Sequence, residues 1–162
     1  GLAMASRTVG SPQIRVRGTV GGNLGSASPA GDAHPVLLAA GAGVEVESAA
    51  RGTRLIPVDD FFVGVKKSAL AADELIRAVH LPPAGGPQQF AKVGTRNAMV
   101  IAVTSVGLAL HPDQGRVRVG IGSAAPTPRR APEAEDFAAA ELAGMWEARP
   151  ALPDGDDRYH PS

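Results

Sequence analysis

The sequence predicts an α+β fold, in which antiparallel strands and helices come from different stretches of the chain. Apolar residues occupy alternate positions from 100 to 110, the turn His111–Gly115 follows, and alternation resumes over 117–121. This pattern is typical of a β-hairpin. A second hairpin with one buried face is predicted over 44–58. A helix is expected from Pro132, since proline and acidic residues favour the first turn of a helix.

The first part of the chain is predicted to alternate short elements with turns. In chain order these are a helix over Leu2–Val9, a strand over Gln13–Arg17, turns over Gly18–Pro35 and a helix over Val36–Ala42. Ser11 separates the first two elements, because a residue before proline is disfavoured in the helical conformation. The last helix is expected to end at Gly41 or Gly43, since glycine readily takes a positive φ.

The middle of the chain contains a predicted strand and a predicted domain boundary. Glu74–Leu81 is expected to be a strand that carries Leu75, Val79 and Leu81 at strand spacing. Ala84–Gln89, with the sequence AGGPQQ, is the best candidate for a boundary. The helix that begins at Pro132 is expected to end at Gly144.

Length and composition exclude several classes of function. A chain of 162 residues is long enough for one domain, or at most two small ones. It has no cysteine, so it cannot itself form a disulfide or hold a cysteine-ligated cluster. Its 16 basic and 16 acidic residues balance, which argues against a nucleic-acid partner. No apolar run approaches the roughly 20 residues of a membrane span, and no signal peptide is evident, so we expect a cytoplasmic protein.

A glycine-rich stretch carries the strongest chemical signal. Gly21 and Gly22 lie between Thr19 and Asn23, and Asp32 follows nine residues later. Successive glycines let backbone N–H groups approach a phosphate or pyrophosphate, and Asp32 can accept hydrogen bonds from sugar-type hydroxyls. Composition alone leaves open a plain glycine-rich loop, because the spacing fits neither a dinucleotide fingerprint nor a P-loop.

The longer string is more specific than its glycines. Ser11–Asp32, SPQIRVRGTVGGNLGSASPAGD, closely resembles the flavin-binding segment of the FAD-binding subunit of molybdenum hydroxylases, the family of carbon monoxide and xanthine dehydrogenases. The resemblance continues in order through 45–64, 70–82 and 90–96 to the stretch 119–135. It implies the second subdomain of a PCMH-type FAD-binding fold over residues 1–84, followed over 85–162 by a small sheet-plus-helix C-terminal domain that is truncated at its end.

The resemblance also implies a function and partners. Such a subunit binds FAD and passes electrons from two [2Fe–2S] clusters on a small subunit to an acceptor. A molybdopterin-binding large subunit oxidises the substrate. We therefore expect these two partner subunits, FAD on this chain, and no catalytic acid, base or metal site here.

Individual residues take their expected roles from the resemblance. The pyrophosphate-binding turn matches Thr19, Val20, Gly21, Gly22 and Asn23. The remaining matches are Ser26 at a contacting position, Asp32 at a flavin-contacting acid, Ile76 at an apolar position beside the flavin, and Lys92 at the isoalloxazine edge. On pattern alone, Ile76 is more typical of a core residue and Lys92 fits a solvated surface lysine equally well.

Departures from the family pattern bear on how well the chain would bind flavin. Gly25 stands where a larger residue is usual, Gly31 stands where alanine or serine is often found, and Val16 replaces the commoner asparagine. The family's N-terminal lobe has no counterpart in this sequence, so we expect the chain alone to bind FAD weakly or not at all. The alternative is a noncatalytic assembly module that docks on partner subunits without flavin.

The histidines and the remaining charged pairs do not indicate a further functional site. The four histidines, His34, His80, His111 and His160, have no metal-ligand spacing and are expected to be ordinary. The pairs Arg15 with Arg17 and Arg129 with Arg130 are interpreted as surface, and the acids at 133–136 as helix-start residues.

Overall fold

The computed structural model describes residues 1–147. The helices are α1 Leu2–Thr8, α2 Pro12–Arg17, α3 Val20–Ser26, α4 Ala33–Ala40, α5 Val58–Phe61 and α6 Pro132–Glu147, with a 3₁₀ turn at Pro112–Gln114. The strands are β1 Gly43–Ser48, β2 Gly52–Pro57, β3 Phe62–Gly64, β4 Lys67–Ser68, β5 Glu74–His80, β6 Gln88–Val93, β7 Thr104–His111, β8 Arg116–Gly122 and β9 Arg129–Arg130. The fold is α+β, as predicted.

The strands form antiparallel sheets on the two sides of α4. One sheet has the order β2-β1-β5, a second has the order β6-β7-β8-β9, and β3 pairs with β4. The main apolar core lies between α3, α4 and the first sheet. It includes Leu24, Leu37, Val44, Val46 and Phe61, none of which exposes any surface.

Helix α4 lies directly on the second sheet because that sheet presents glycines to it. A Cβ at Gly107 would lie 2.6 Å from the carbonyl carbon of Pro35, and one at Gly120 would lie 2.8 Å from the same atom. Both distances are shorter than real Cβ contacts, so only glycine permits this approach. Arg118 of β8 then donates to the carbonyl of Leu38 at the end of the helix, 3.1 Å away.

Several predictions from the sequence are confirmed. Helix α1, the hairpin of β1 and β2, and the hairpin of β7 and β8 lie where the patterns predicted them. Helix α4 ends at Gly41, whose φ of +67° is the expected left-handed cap. It begins at Ala33, three residues before the predicted start.

The stretch between residues 12 and 35 contains more helix than predicted. Gln13–Arg17 is not a strand but belongs to α2, because Ser11 accepts a hydrogen bond from the Ile14 amide and caps a helix that starts with Pro12. Neither of its alternating apolar residues is buried, since Ile14 and Val16 are 56% and 83% exposed. Likewise, the predicted turns over 18–35 contain α3 and the first turn of α4.

The predicted spacing of β5 is wrong for Leu75 but not for Val79, and Ile76 is a core residue, as its pattern indicated. Leu75 is 77% exposed, whereas Ile76 pairs with Val46 and packs against the core. The register of β5 against β1 shifts between Glu45 and Val46. This bulge reverses the side on which later residues lie, so that Val79 also meets the core.

Two further differences concern the second half of the chain. The alternating run begins as strand only at Thr104, and its deeply buried face carries the small residues Ser105, Gly107 and Ala109, because α4 lies there. Helix α6 continues through Gly144 to Glu147. The acid Glu135 does more than start this helix, since it is 5% exposed and accepts from the Val119 amide and from Arg130.

Candidate functional site

The glycine pair lies in the first turn of α3. The Thr19 hydroxyl accepts a hydrogen bond from the Gly22 amide at 2.9 Å, which caps the helix. Leu24, which is fully buried, anchors the opposite face in the core. The first turn of a helix leaves N–H groups that no helical carbonyl accepts, so this end of α3 offers donors to a ligand.

A cavity of about 640 Å³ lies in front of this turn. Of the residues singled out from the sequence, it is lined by Thr19, Val20, Gly22, Asn23 and Ser26. Arg7, Arg15 and Arg17 contribute cationic side chains to the same wall. No carboxylate is among the described residues that line it, so the cavity favours an anionic ligand.

Asp32 and Lys92, which are 60 positions apart in the sequence, form a buried ion pair. The Lys92 ammonium lies 2.7 Å from Asp32 Oδ2, and the two side chains are 9% and 6% exposed. Lys92 also donates to the carbonyls of Thr8 and Val100, at 2.9 and 3.1 Å. The interpretation of Lys92 as a solvated surface lysine is therefore wrong.

Two more cavities adjoin the first around the segment that follows α1. One, of about 760 Å³, is lined by Lys92 and Phe90 and shares Arg7 and Arg15 with the first cavity. The other, of about 210 Å³, is lined by both Asn23 and Asp32.

Two buried acceptor atoms at these cavities lack a partner among residues 1–147. They are Asn23 Oδ1 and Asp32 Oδ1. An unsatisfied buried acceptor is costly, so these atoms need donors from a ligand or from water. Hydroxyl groups of a sugar or a ribityl chain have the required chemistry. The two buried acceptor atoms are thus the reason that this site fits a flavin nucleotide.

Arginines hold the surrounding loops in place. Arg15 donates to the carbonyls of Val9 and Gly10, both at 3.0 Å. Arg96 donates to the carbonyls of Ala98 and Met99. Because carbonyls are neutral, both guanidinium groups keep their full positive charge at the cavities. Arg15 is exposed, as predicted from the sequence, and in addition it holds the loop that follows α1.

Not every residue predicted to contact the flavin lines one of these cavities. Ile76 lines none of the three cavities and lies beneath α3, where a Cβ at Gly21 would be 3.9 Å from its Cγ2. Thr8 was missed by sequence reasoning, although its hydroxyl lies 3.2 Å from Asp32 Oδ2. No local signal marks it, because its partners are distant in the chain.

His34, which was expected to be an ordinary histidine, is fully buried in α4. Its Nε2 lies 3.1 Å from the carbonyl oxygen of Asn23, and its ring centroid lies 4.5 Å from that of Phe62. Burial lowers the pKa of His34, although the carbonyls of Asn23 and Ser28 and the charge of Asp32 oppose this shift. The side chain is therefore neutral near pH 7.

Comparison with known proteins identifies the family. Residues 1–84 match the family described as the FAD binding domain in molybdopterin dehydrogenase. The chain belongs to this family. The match ends at Ala84, within the loop 81–87 that connects β5 to β6.

Curated relatives and solved structures agree with this assignment. The chain is 41% identical over 141 residues to the nicotine 6-hydroxylase medium subunit of Paenarthrobacter nicotinovorans, which covers 83% of this chain and 48% of that protein. It is 36% identical over 146 residues to the putative xanthine dehydrogenase FAD-binding subunit of Escherichia coli, and this match covers 85% of this chain and 49% of that protein. The chain thus spans about half the length of these relatives.

The fold likewise matches that of a solved family structure. The carbon monoxide dehydrogenase of Hydrogenophaga pseudoflava superposes with a TM-score of 0.72 at 27% identity, over 79% of this chain and 46% of that one. The relatives are thus subunits of oxidoreductases. Within residues 1–147, no helix combines the length and the apolar character that crossing a membrane requires.

Proposed function

We propose that this chain binds FAD as part of the flavin subunit of a molybdenum-hydroxylase-type oxidoreductase. The bound flavin would supply redox chemistry, taking electrons from iron–sulfur clusters on a small partner subunit and passing them to an acceptor. Substrate oxidation would take place on a molybdopterin-binding large subunit. Family membership supports FAD as the cofactor, while the electron path and the partners are our inference.

The observation that carries the proposal is the meeting of Asn23, Asp32 and Lys92 around adjoining cavities. Asp32 and Lys92 are in direct contact, and Asn23 and Asp32 each keep one buried oxygen without a partner. Both residues line a cavity, so a ligand there can supply the donors and remove a cost of about 1–3 kcal/mol for each atom.

Each residue has a distinct proposed task. The amides of the turn from Thr19 to Asn23, with the arginines beside them, would bind the pyrophosphate. Asn23 and Asp32 would accept hydrogen bonds from hydroxyl groups. Ser26 lines the same cavity and would add a polar contact. Ile76 would support α3 from below.

Lys92 would act on the flavin ring through its charge. An ammonium has three N–H donors, and those of Lys92 already have oxygen partners at 2.7, 2.9 and 3.1 Å. A hydrogen bond to the flavin would require one of these to be shared. A fixed positive charge close to the ring is one means by which a protein adjusts flavin electronics.

Equilibrium dialysis of the purified chain against FAD tests the proposal, because it detects weak as well as tight binding. We expect saturable binding of one FAD per chain. Thr19→Val, which removes the cap of α3, should weaken it about fivefold, since a lost cap costs about 1 kcal/mol. Thr53→Val, on the exposed face of β2, is the matched control and should bind FAD like the parent chain.

The same experiment separates the two interpretations. A chain that binds no FAD at any concentration would overturn the proposal and favour an assembly module without flavin. Retention of FAD through desalting would further show that this chain alone provides a tight site.

A further inference from the structure

Helix α3 is a poor helix by its own composition. It has seven residues, three of which are Gly21, Gly22 and Gly25. Each glycine costs about 1 kcal/mol relative to alanine in a helix, and isolated helices of this length do not persist in water. Contacts from other parts of the chain must therefore hold α3 in shape.

The C-terminal end of α3 lacks the usual helical hydrogen bond. Ala27 has a φ of +44°, so the chain turns there and its amide donates to Leu24 instead of Asn23. The freed carbonyl of Asn23 accepts from the Ser26 hydroxyl at 2.7 Å and meets His34 Nε2 at 3.1 Å. For the histidine to donate here, Nε2 must carry its proton.

Gly31 and His34 form a matched pair. A Cβ at Gly31 would lie 2.5 Å from His34 Nδ1, a separation that real Cβ atoms do not show. The φ of Gly31 is not positive, so it is space, not backbone conformation, that requires glycine. The buried ring of His34 is therefore the physical reason for a glycine at position 31.

We propose that His34 is a positioning residue for the flavin site. Its Nε2–H donates to the carbonyl of Asn23 and holds the end of α3, while Gly31 makes room for its ring. Thr19 fixes one end of the helix and His34 fixes the other, so the turn between them presents its amides to the cavity in one orientation. The link to flavin rests on the proposed function; the link between His34 and α3 does not.

Variants at position 34 separate hydrogen bonding from packing. His34→Gln keeps an N–H donor on a side chain of similar reach, whereas His34→Leu fills the space without a donor. Amide hydrogen exchange of the purified chain without FAD is the first measurement. We expect His34→Leu to speed exchange of the Asn23 and Leu24 amides about tenfold, with Val44 and Val46 unchanged. His34→Gln should restore most of the protection.

FAD affinity is the second measurement. His34→Leu should raise the dissociation constant for FAD about tenfold, and His34→Gln less than threefold, at equal folded fraction. The control is His80→Gln, the same change at an exposed histidine on the outer face of the first sheet. It should leave both exchange and affinity as they are.

Gly31→Ala supplies an independent test. In the parent chain the added methyl group should displace the ring and reproduce the effect of His34→Leu on exchange. In a His34→Ala background, where no ring is present, the same change should have little further effect. Equal effects of Gly31→Ala in both backgrounds would contradict the pairing.

The outcomes are distinguishable. The positioning role would be overturned if His34→Leu left amide exchange in α3 unchanged. It would also be overturned if His34→Gln reduced the protection of these amides as much as His34→Leu does. If exchange responds as expected but the parent chain binds no FAD, the proposed function fails and His34 remains the residue that holds α3. If exchange responds and FAD affinity does not, the role of His34 toward the flavin is wrong.

Discussion

Among single residues, Lys92 connects the most distant parts of the chain. Its ammonium joins Asp32, the carbonyl at the end of α1 and the carbonyl of Val100. Sequence reasoning singled out both Lys92 and Asp32, but only as separate contacts to a flavin. That they contact each other follows from tertiary structure alone, because no local pattern links positions 60 apart.

Lys92→Met should destabilise the protein strongly. The change leaves Asp32 buried without its cation, and breaking a buried ion pair in this way costs about 3–5 kcal/mol. Urea denaturation measures the difference. Lys67→Met, at an exposed position in β4, is the control and should change stability little. Equal stability of the Lys92 and Lys67 variants would contradict a structural role for the pair.

Glu74 should make stability depend on pH in the acid range. Its hydrogen bonds with Arg54, and then with the amide of Ala71, lower the pKa of Glu74 from 4.5 to about 2. A carboxyl group whose pKa is lowered by folding stabilises the folded state above its unfolded pKa. That contribution should therefore be lost as pH falls from about 4.5 to about 2.

Thermal melts across this pH range check the prediction. Glu74→Gln should flatten the dependence of Tm on pH, because the side chain can no longer ionise. Glu141→Gln, on the exposed surface of α6, should retain the slope of the parent chain. A parent chain whose Tm stays constant from pH 5 to pH 2 would count against the prediction.

Among the secondary-structure elements, the hairpins were easier to predict from the sequence than the short helices. The strands β1, β7 and β8 show alternation, β2 follows β1 after a short turn that contains Gly52, and all four were predicted. Helices α2 and α3 are short, and α3 is rich in glycine, so their residues resemble turns. The cap residues Ser11 and Thr19 are the signals that could have revealed both.

The approach of α4 to the second sheet gives a prediction for Gly120. Gly120→Ala should destabilise the protein by about 1–3 kcal/mol, because the new methyl group meets the backbone of Pro35, which cannot move aside cheaply. Gly144→Ala is the control, since nothing lies within 4 Å of its Cβ position. It should be neutral or slightly stabilising, as alanine favours helix. A Gly120 variant as stable as the parent would show that α4 can shift.

At the scale of the whole molecule, α4 belongs to both parts of the chain. It lies before the boundary near residue 84, yet it packs on β7 and β8 beyond it. The division into residues 1–84 and 85–162 therefore remains a proposal about family domains and is not a prediction of two independent folding units.

A fragment of residues 1–84 should not fold cooperatively. It would expose the face of α4 that meets Gly107 and Gly120, and it would leave Asp32 without Lys92. Circular dichroism during a thermal melt distinguishes the outcomes: the full chain should unfold in one sharp transition and the fragment in a broad, shallow one. A sharp transition for the fragment would show that residues 1–84 form an autonomous domain.

The sequence by itself determined the fold class, the main hairpins, and, through the string from Ser11 to Asp32, the family. These features depend on residues that are close together in the chain, because alternation, turns and contiguous motifs can be recognised from neighbouring residues alone. The remaining features follow from the tertiary structure: the bulge that brings Val79 to the same face as Ile76, the glycines on which α4 packs, the pairing of Lys92 with Asp32, and the burial of His34 beside Gly31. Each of these depends on atoms brought together from distant positions, and local periodicity carries no information about which distant residues will meet.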